Sequence, residues 1–238
     1  LAYNLEQFKS ELKKVGDFCK KYKHRITFHP KPYAVLNTPK PFTLITVMRE
    51  LYWHARFFDL CGLDRDATIT IHGGGVYEDK INAMKTFVEN FNKLPPEIKG
   101  RLILENDETS YSISDVLEMS KSIEPYTYKP VNDYSKKVEV IECIPVCFDI
   151  FHYKCWNLYY KKKKKYYPQP LISEILPDIF KTWGRIRPKF HYSEQDPHNR
   201  MGTHSEYIKK IPEIILHLDI DLMLESVCRD ISLFKLNN

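Results

Sequence analysis

Hydrophobic positions along this chain follow two alternating rhythms. Leu5, Phe8, Leu12, Val15 and Phe18 fall three and four residues apart, which predicts an amphipathic helix over about 4–23. The compact run RITFH (25–29) then reads as a strand. Helical spacing returns over 43–61, with Gly62 as its stop. The alternation continues as strand 67–72, helix 79–93, strand 101–105 and helix 112–123, then strand 145–149, helix 171–183, strand 187–191, helix 204–217 and strand 220–225. Two stretches fall outside the rhythm and read as connections: 124–143, which is long and polar, and 153–170, which contains YYKKKKKYYPQP.

Strands alternating with helices imply right-handed βαβ units and a parallel sheet. The expected fold is therefore α/β, a TIM-barrel-like parallel (β/α) barrel forming a single domain over residues 1–238. About six strands are recognisable, whereas a closed barrel of this kind has eight. The chain begins on a helix and on Leu rather than Met, which predicts a barrel incomplete at its N-terminus, as in a fragment or processed product.

The polar residues that close the strands change the picture most. The runs end on His29, His72, Glu105, Asp149, His191 and Glu225. In a parallel barrel the carboxyl ends of the strands face the active-site mouth. Six consecutive strands ending on groups able to bind a divalent ion predict a polynuclear metal centre. His152, three residues after Asp149, and His204, in the loop or first helical turn after His191, join the same set. Lys189 stands two residues before His191, so the two side chains share a strand face. An inward lysine is costly unless paired or modified. Beside metals it can carry a carbamate and bridge them as an anion; a neighbouring carboxylate would also satisfy it. Mixed imidazole and carboxylate ligation suits zinc or manganese at a hydrolytic site, and two or more ions can clamp the attacking water and leaving oxygen of a phosphodiester. Glu105 is the candidate bridging carboxylate. His24, His54, His198 and His217 lack the strand-end placement and read as packing or surface residues.

Composition narrows the setting. Apolar residues make up 43% of the chain and charged residues 28%, as in an ordinary globular protein. No run approaches the ~18 apolar residues of a membrane span, and no signal peptide is visible. Cys19, Cys61, Cys143, Cys147, Cys155 and Cys228 have neither C-x-x-C nor framework spacing, which predicts reduced thiols in an intracellular compartment. The net charge of +5 is weak evidence for a polyanionic partner and fits a mildly basic housekeeping domain as well. The lysine run bracketed by tyrosines can track a nucleic-acid backbone, though a solvated insertion is the simpler account. The glycines of HGGGVYEDK (72–80) either admit a phosphate close to backbone N–H groups or only turn the chain. Asn106 and Asp107 either orient the ligands or cap the next turn.

The segments RITFHPKPY (25–33), IHGGGVYEDK (71–80), RLILEND (101–107), PVCFDIFH (145–152), RPKFHYSEQDP (187–197) and DLMLE (221–225) resemble, in order, the UV damage endonucleases. The resemblance runs from about residue 25 to the C-terminus. That family is a metal-dependent barrel related to endonuclease IV-type nucleases, and it incises DNA 5′ to a lesion such as a pyrimidine photodimer. The resemblance implies one ion near His29, His72 and Glu105. It implies a second held by Glu105, Asp149, His191 and Glu225, and a third held by His152 and His204. It makes Lys189 a carboxylated lysine and Tyr33 a probe of the duplex. Lys31 and Pro32 stand where the family has Gly-Gln, the family's N-terminal βα units have no counterpart here, and the lysine run lengthens the connection after Asp149.

The function expected is metal-dependent incision of damaged double-stranded DNA by a monomer. It would use two or three divalent ions per chain, manganese or zinc with magnesium as the alternative, and Glu105 and Lys189 would serve catalysis. Two other readings compete: a truncated barrel that binds DNA or metal without incising, and a sugar isomerase or epimerase resembling xylose isomerase. An amidohydrolase is disfavoured, because the first strand has no H-x-H pair.

Overall fold

Helices and short buried strands alternate along the chain, as the two rhythms predict. The computed structural model describes residues 4–31, 33–130, 138–162 and 169–236, with backbone alone for 160–162. Two compact units are defined: Leu1–Leu104 with Met119–Ile144, and Glu105–Glu118 with Pro145–Asn238.

In the first unit a 3-10 turn (Leu5–Phe8), capped by Asn4, leads into α1 (Lys9–Tyr22). The stripe Leu12, Gly16 and Cys19 is the buried face of α1. It meets α2 (Pro41–Cys61), which starts at a proline, a residue suited to the first helical turn, and ends at Gly62 with φ 69°. A Cβ on Gly16 would lie 1.6 Å from the Cys61 carbonyl oxygen, so the two backbones touch where only glycine fits. Strand β1 is Thr27–Phe28, shorter than the 25–29 expected. It pairs in parallel with β2 (Thr68–His72), Thr27 opposite Thr68 and Phe28 opposite Ile69. Residues 68–71 of β2 are buried on both faces, the mark of a strand inside an α/β layer. Asp79 caps α3 (Lys80–Asn92) by accepting from the N–H groups of Ile81 and Asn82. The short α4 (Pro96–Lys99) precedes β3 (Leu102–Glu105), whose final residue counts with the second unit.

One expectation fails in this unit. The stretch 124–143 is not simply a loop, because β4 (Tyr126–Tyr128) and β5 (Glu139–Ile141) pair antiparallel within it. Tyr126 and Tyr128 are buried on either side of exposed Thr127. That alternation is too short to stand out among the prolines and charges around it. Residues 131–137 of the same stretch lie outside the described residues.

In the second unit α5 (Ile113–Lys121) begins at Ser112, whose N–H donates to Asp115. Strands β6 (Val146–Asp149), β7 (Lys189–Tyr192) and β8 (Asp221–Leu224) pair in parallel in that order, with Asp149 opposite His191 and His191 opposite Met223. The start of β6 is fastened by α7 (Ile172–Trp183): Val146 N–H donates to Thr182 Oγ1 (2.9 Å), and Trp183 Nε1 donates to the Val146 carbonyl (2.8 Å). The end of β8 is carried one residue further, where Glu225 N–H donates to the Tyr192 carbonyl (2.9 Å).

Two further expectations are corrected here. The connection placed over 153–170 is largely helical, because α6 (Ile150–Lys162) starts directly after Asp149. His152 thus sits in the first turn of a helix rather than in a loop. The side chains of the lysine run, 161–165, lie outside the described residues. The helix expected over 204–217 shrinks to α8 (Glu213–Leu216), preceded by Pro212. Before it the backbone N–H groups are engaged outside any helical ladder: Ile208 donates to Ser232 Oγ (2.8 Å), and Lys209 and Lys210 donate to Glu194 Oε1 (2.9 and 3.1 Å). Those bonds compete with helix formation. The chain closes with α9 (Arg229–Leu236).

Candidate metal centre

Both faces of β6 and β7 are buried, so their sequences VCFD and KFHY divide into two sets by parity. Val146, Phe148, Phe190 and Tyr192 form the apolar set, and the Phe148 and Phe190 rings meet edge to face with centroids 5.6 Å apart. Cys147, Asp149, Lys189 and His191 form the other set, all buried. Glu105 from β3 and Glu225 just past β8 join this polar face.

His191 Nδ1 lies 2.6 Å from Glu105 Oε1 and 3.0 Å from Glu225 Oε1. Ligand atoms of Glu105, His191 and Glu225 all fall within 4.8 Å of one another, and so do those of Glu105, Asp149 and His152. Glu105 is common to both groups. Asn106, fully buried, organises the second group: its Nδ2 donates to the Asp149 carbonyl (2.9 Å) and its Oδ1 accepts from the Asp149 N–H (2.9 Å). Its own carbonyl lies 2.9 Å from His152 Nδ1. The His152 N–H donates to Asp149 Oδ1 (2.7 Å). Asp107 accepts from the N–H groups of Thr109, Ser110 and Tyr111, which shapes the loop after β3. The sequence had left two roles open for Asn106 and Asp107; Asn106 bonds to Asp149 and His152, whereas Asp107 caps the turn.

The electrostatics are those of an over-acidic site. Burial raises the pKa of Asp149, and the nearby Glu105 and Glu225 add to the rise against the pull of His152 and His191. Burial opposes a charge on His152, yet Asp149, Glu105, the Asn106 carbonyl and Glu108 lift its pKa to about 9. Burial likewise opposes a proton on His191, but Cys147 and Glu105 raise its pKa well above the usual imidazole value. Glu105 thus draws protons toward both rings, with Asp149 and Glu108 acting on His152 and Cys147 on His191. Asp149 Oδ2 is buried with no hydrogen-bond partner, 3.7 Å from His152 Nδ1. A crowded set of carboxylates and imidazoles, with a carboxylate oxygen left over, is the donor set that divalent cations fit.

Glu108, which sequence reasoning passed over, stands 3.9 Å from His152 Nε2. Its signal was only its place three residues after Glu105. The His204 ring lies 6.2 Å from that of His152, on the segment bridged to Gln195. Lys189 is 3% exposed within β7.

His29 and His72 belong to the first unit. Their ring centroids are 5.2 Å apart, and they line a small pocket with Pro30, Lys31, Ala34, Thr70 and Ile71. Tyr33 is 80% exposed beside them in sequence, and Pro32 lies outside the described residues. His54, set aside above, packs its ring 4.5 Å from that of Phe28.

Known structures define the class. The crystal structure of SacUVDE superposes with a TM-score of 0.79 at 28% identity, covering 99% of this chain and 72% of that one. Endonuclease IV from Thermus thermophilus superposes with a TM-score of 0.57 over the whole of this chain and 82% of its own, at 12% identity, a likeness of fold alone. The fold is TIM-barrel-like, a parallel (β/α) barrel in which, among the described residues, β1, β2, β3, β6, β7 and β8 alternate with helices. Among curated proteins, the UV DNA damage endonuclease of Clostridium perfringens (strain 13 / Type A) is 34% identical, covering 98% of this chain and 52% of its own length. That of Bacillus cereus (strain G9842) is 31% identical, covering 94% and 64%. The profile of the family described as UV-endonuclease UvdE matches residues 1–238, and the chain belongs to that family. It spans about half to two thirds of the length of these curated relatives.

Proposed function

We propose that this chain is a divalent-metal-dependent DNA repair endonuclease that incises the phosphodiester 5′ to UV photolesions or related damage in double-stranded DNA. The observation that carries the reading is the cluster of Glu105, Asp149, His191 and Glu225 at or just past strand ends, with His152 in the helical turn after β6, in a chain of the UvdE family. Bound divalent ions would supply a hydroxide at neutral pH and neutralise charge developing on the leaving oxygen.

The chain's own groups do the positioning. Glu105, shared by both groups of ligand atoms, is suited to bridge two ions. The Asn106 carbonyl engages His152 Nδ1 and so assigns Nε2 as its ligand atom, whereas His191 turns Nδ1 toward both Glu105 and Glu225, so Nδ1 is the atom placed to share an ion with them. Asp149 and Glu225 complete the carboxylate set, with His204 beside His152, and with His29 and His72 as ligands in the first unit. Lys189 shares a strand face with His191, and as a carbamate it would turn a buried cation into an anionic ligand. Tyr33, largely in solvent, would meet the duplex. Manganese or zinc suits the donor set, two or three ions per chain. The six cysteines form no disulfide among the described residues, and no helix among them is long and apolar enough to cross a membrane; the reading places the chain in a reducing intracellular setting. We assign the active species as a monomer.

The test is incision of UV-irradiated, abasic and undamaged plasmid, read beside the divalent ions bound per purified chain. Metal-dependent nicking of damaged plasmid alone is expected. Metal bound without any nicking would favour a barrel that binds without cutting. Isomerisation of a free sugar would replace the reading altogether.

A further inference from the structure

The geometry points to Tyr77 as a second aromatic contact for the DNA, a ring preset in the loop after β2 to stack on a base displaced at the lesion. This rests on the endonuclease reading and extends it to a residue outside the cluster of acids and imidazoles.

Tyr77 has φ 52°, a left-handed backbone conformation that is uncommon for residues other than glycine, asparagine and aspartate. Such strain persists only where the surroundings enforce it, and it concentrates at functional positions. Here the surroundings can be named. Gly74, at φ 89°, presses on the segment that follows Tyr33: a Cβ there would lie 2.2 Å from Asn37 Oδ1 and 2.9 Å from Val35 Cβ. Asn37 Nδ2 donates to the Gly75 carbonyl (2.6 Å). The Asn37 neighbourhood is tied down in turn, because Asn90 Nδ2 donates to the Leu36 carbonyl (2.8 Å). The loop Gly73–Tyr77 is therefore latched to the loop that carries Tyr33.

The Tyr77 ring folds back over Gly75, where an added Cβ would meet three ring carbons at 3.1–3.4 Å. The missing side chain at Gly75 leaves room for the ring in this position, yet 52% of the residue remains exposed. A ring that served only to fill the core would be covered. The strained, latched loop instead holds one aromatic in solvent, immediately downstream of His72. Tyr33, 80% exposed, stands on the other latched loop. Two aromatics on one braced platform are the chemistry that recognises an unstacked base, since every base offers a π-face and little freedom is lost on contact.

The test compares the purified chain with Tyr77→Gly and Tyr77→Phe. Glycine accepts φ 52° and removes the ring, so it separates stacking from backbone strain; phenylalanine keeps the ring. Binding is measured to a duplex with one abasic site opposite 2-aminopurine and to the intact duplex, with 2-aminopurine fluorescence reporting base displacement. Tyr77→Gly should lose about tenfold in affinity for the abasic duplex and lose the fluorescence change, with melting temperature and bound metal unaltered. Tyr77→Phe should retain both. A wild-type chain with no preference for the abasic duplex overturns the endonuclease reading and this inference together. A preference that survives in Tyr77→Gly overturns this inference alone.

Discussion

His191 Nδ1 lies 2.6 Å from Glu105 Oε1, and neither side chain has any exposed surface. Two buried groups held this closely fix each other's rotamer, so both reach the centre already oriented. Glu105→Gln keeps an acceptor for the ring but removes one negative charge from a set of three carboxylates. The affinity for divalent ions should fall at least about tenfold. Nicking of UV-irradiated plasmid should disappear while the melting temperature stays within a few degrees. A variant that binds metal and cuts like the wild type would remove Glu105 from the ligand set.

Asn106 offers a sharper separation of positioning from ligation. It never needs to touch a metal, yet it pairs with both backbone polar groups of Asp149 and presents its carbonyl to His152. Asn106→Asp should leave the side-chain acceptor but replace the donor facing the Asp149 carbonyl with an oxygen. About 1–3 kcal/mol of stability should be lost through the unmet buried carbonyl, along with about 10- to 100-fold in metal affinity. Denaturant titration and metal titration of the same preparation check the two effects. Loss of stability with unchanged metal affinity would show that Asn106 does not orient the ligands.

Loading the centre should stabilise the fold, because these acids repel one another when no cation is bound. A ligand at about 100 times its Kd contributes about 2.7 kcal/mol to a folded state that alone binds it. For a chain of this length that corresponds to a rise in melting temperature of roughly 5–10 °C. Thermal unfolding of chelator-treated protein, repeated with added Mn²⁺ or Zn²⁺, measures it. The rise should vanish in a Glu105→Gln, Asp149→Asn double variant. An equal rise in that variant would place the ion elsewhere.

How far the sequence disclosed this arrangement depended on the strength of each local signal. The runs TITIH, RLILE and VCFD are buried on both faces, so each reads as an apolar stretch that stops on its polar end residue. Strand ends were therefore legible, and with them the residues that gather around Glu105. Where structure depends on partners distant in sequence, the reading failed. Tyr126 and Tyr128 form a strand because β5 lies against them, which nothing in their own segment announces. The stretch around His204 has helical spacing, but Glu194 and Ser232, distant in sequence, take the N–H groups of Ile208, Lys209 and Lys210. Lysine and aromatic residues in α6 masked a helix that begins where β6 ends. The Asn106–Asp149 exchange was out of reach for the same reason, since the two residues are far apart in the chain.

The pair Arg101–Asp59, away from the acidic cluster, should dominate the stability of the first unit. The Arg101 side chain is 1% exposed and that of Asp59 8%, with Nη2 to Oδ1 at 2.7 Å. Arg101 also donates to the carbonyls of Leu63 (2.8 Å), Asp64 (2.6 Å) and Ala67 (3.4 Å). Removing one partner of a buried pair is therefore asymmetric here. Asp59→Asn leaves the guanidinium its three carbonyls and should cost about 1–2 kcal/mol. Arg101→Leu removes the buried cation that faces the Asp59 carboxylate and the donors to three carbonyls, and should cost about 3–5 kcal/mol. Burial already raises the pKa of Asp59 against the pull of Arg101, so losing Arg101 raises it further. A carboxylate whose folded pKa lies above its unfolded value costs stability as pH rises through that window. The deficit of Arg101→Leu should consequently shrink as pH falls through the range in which Asp59 takes up a proton. Urea titrations of both variants from neutral to acidic pH decide it; a deficit independent of pH would mean that the lost carbonyl bonds, rather than the buried charge, set the cost.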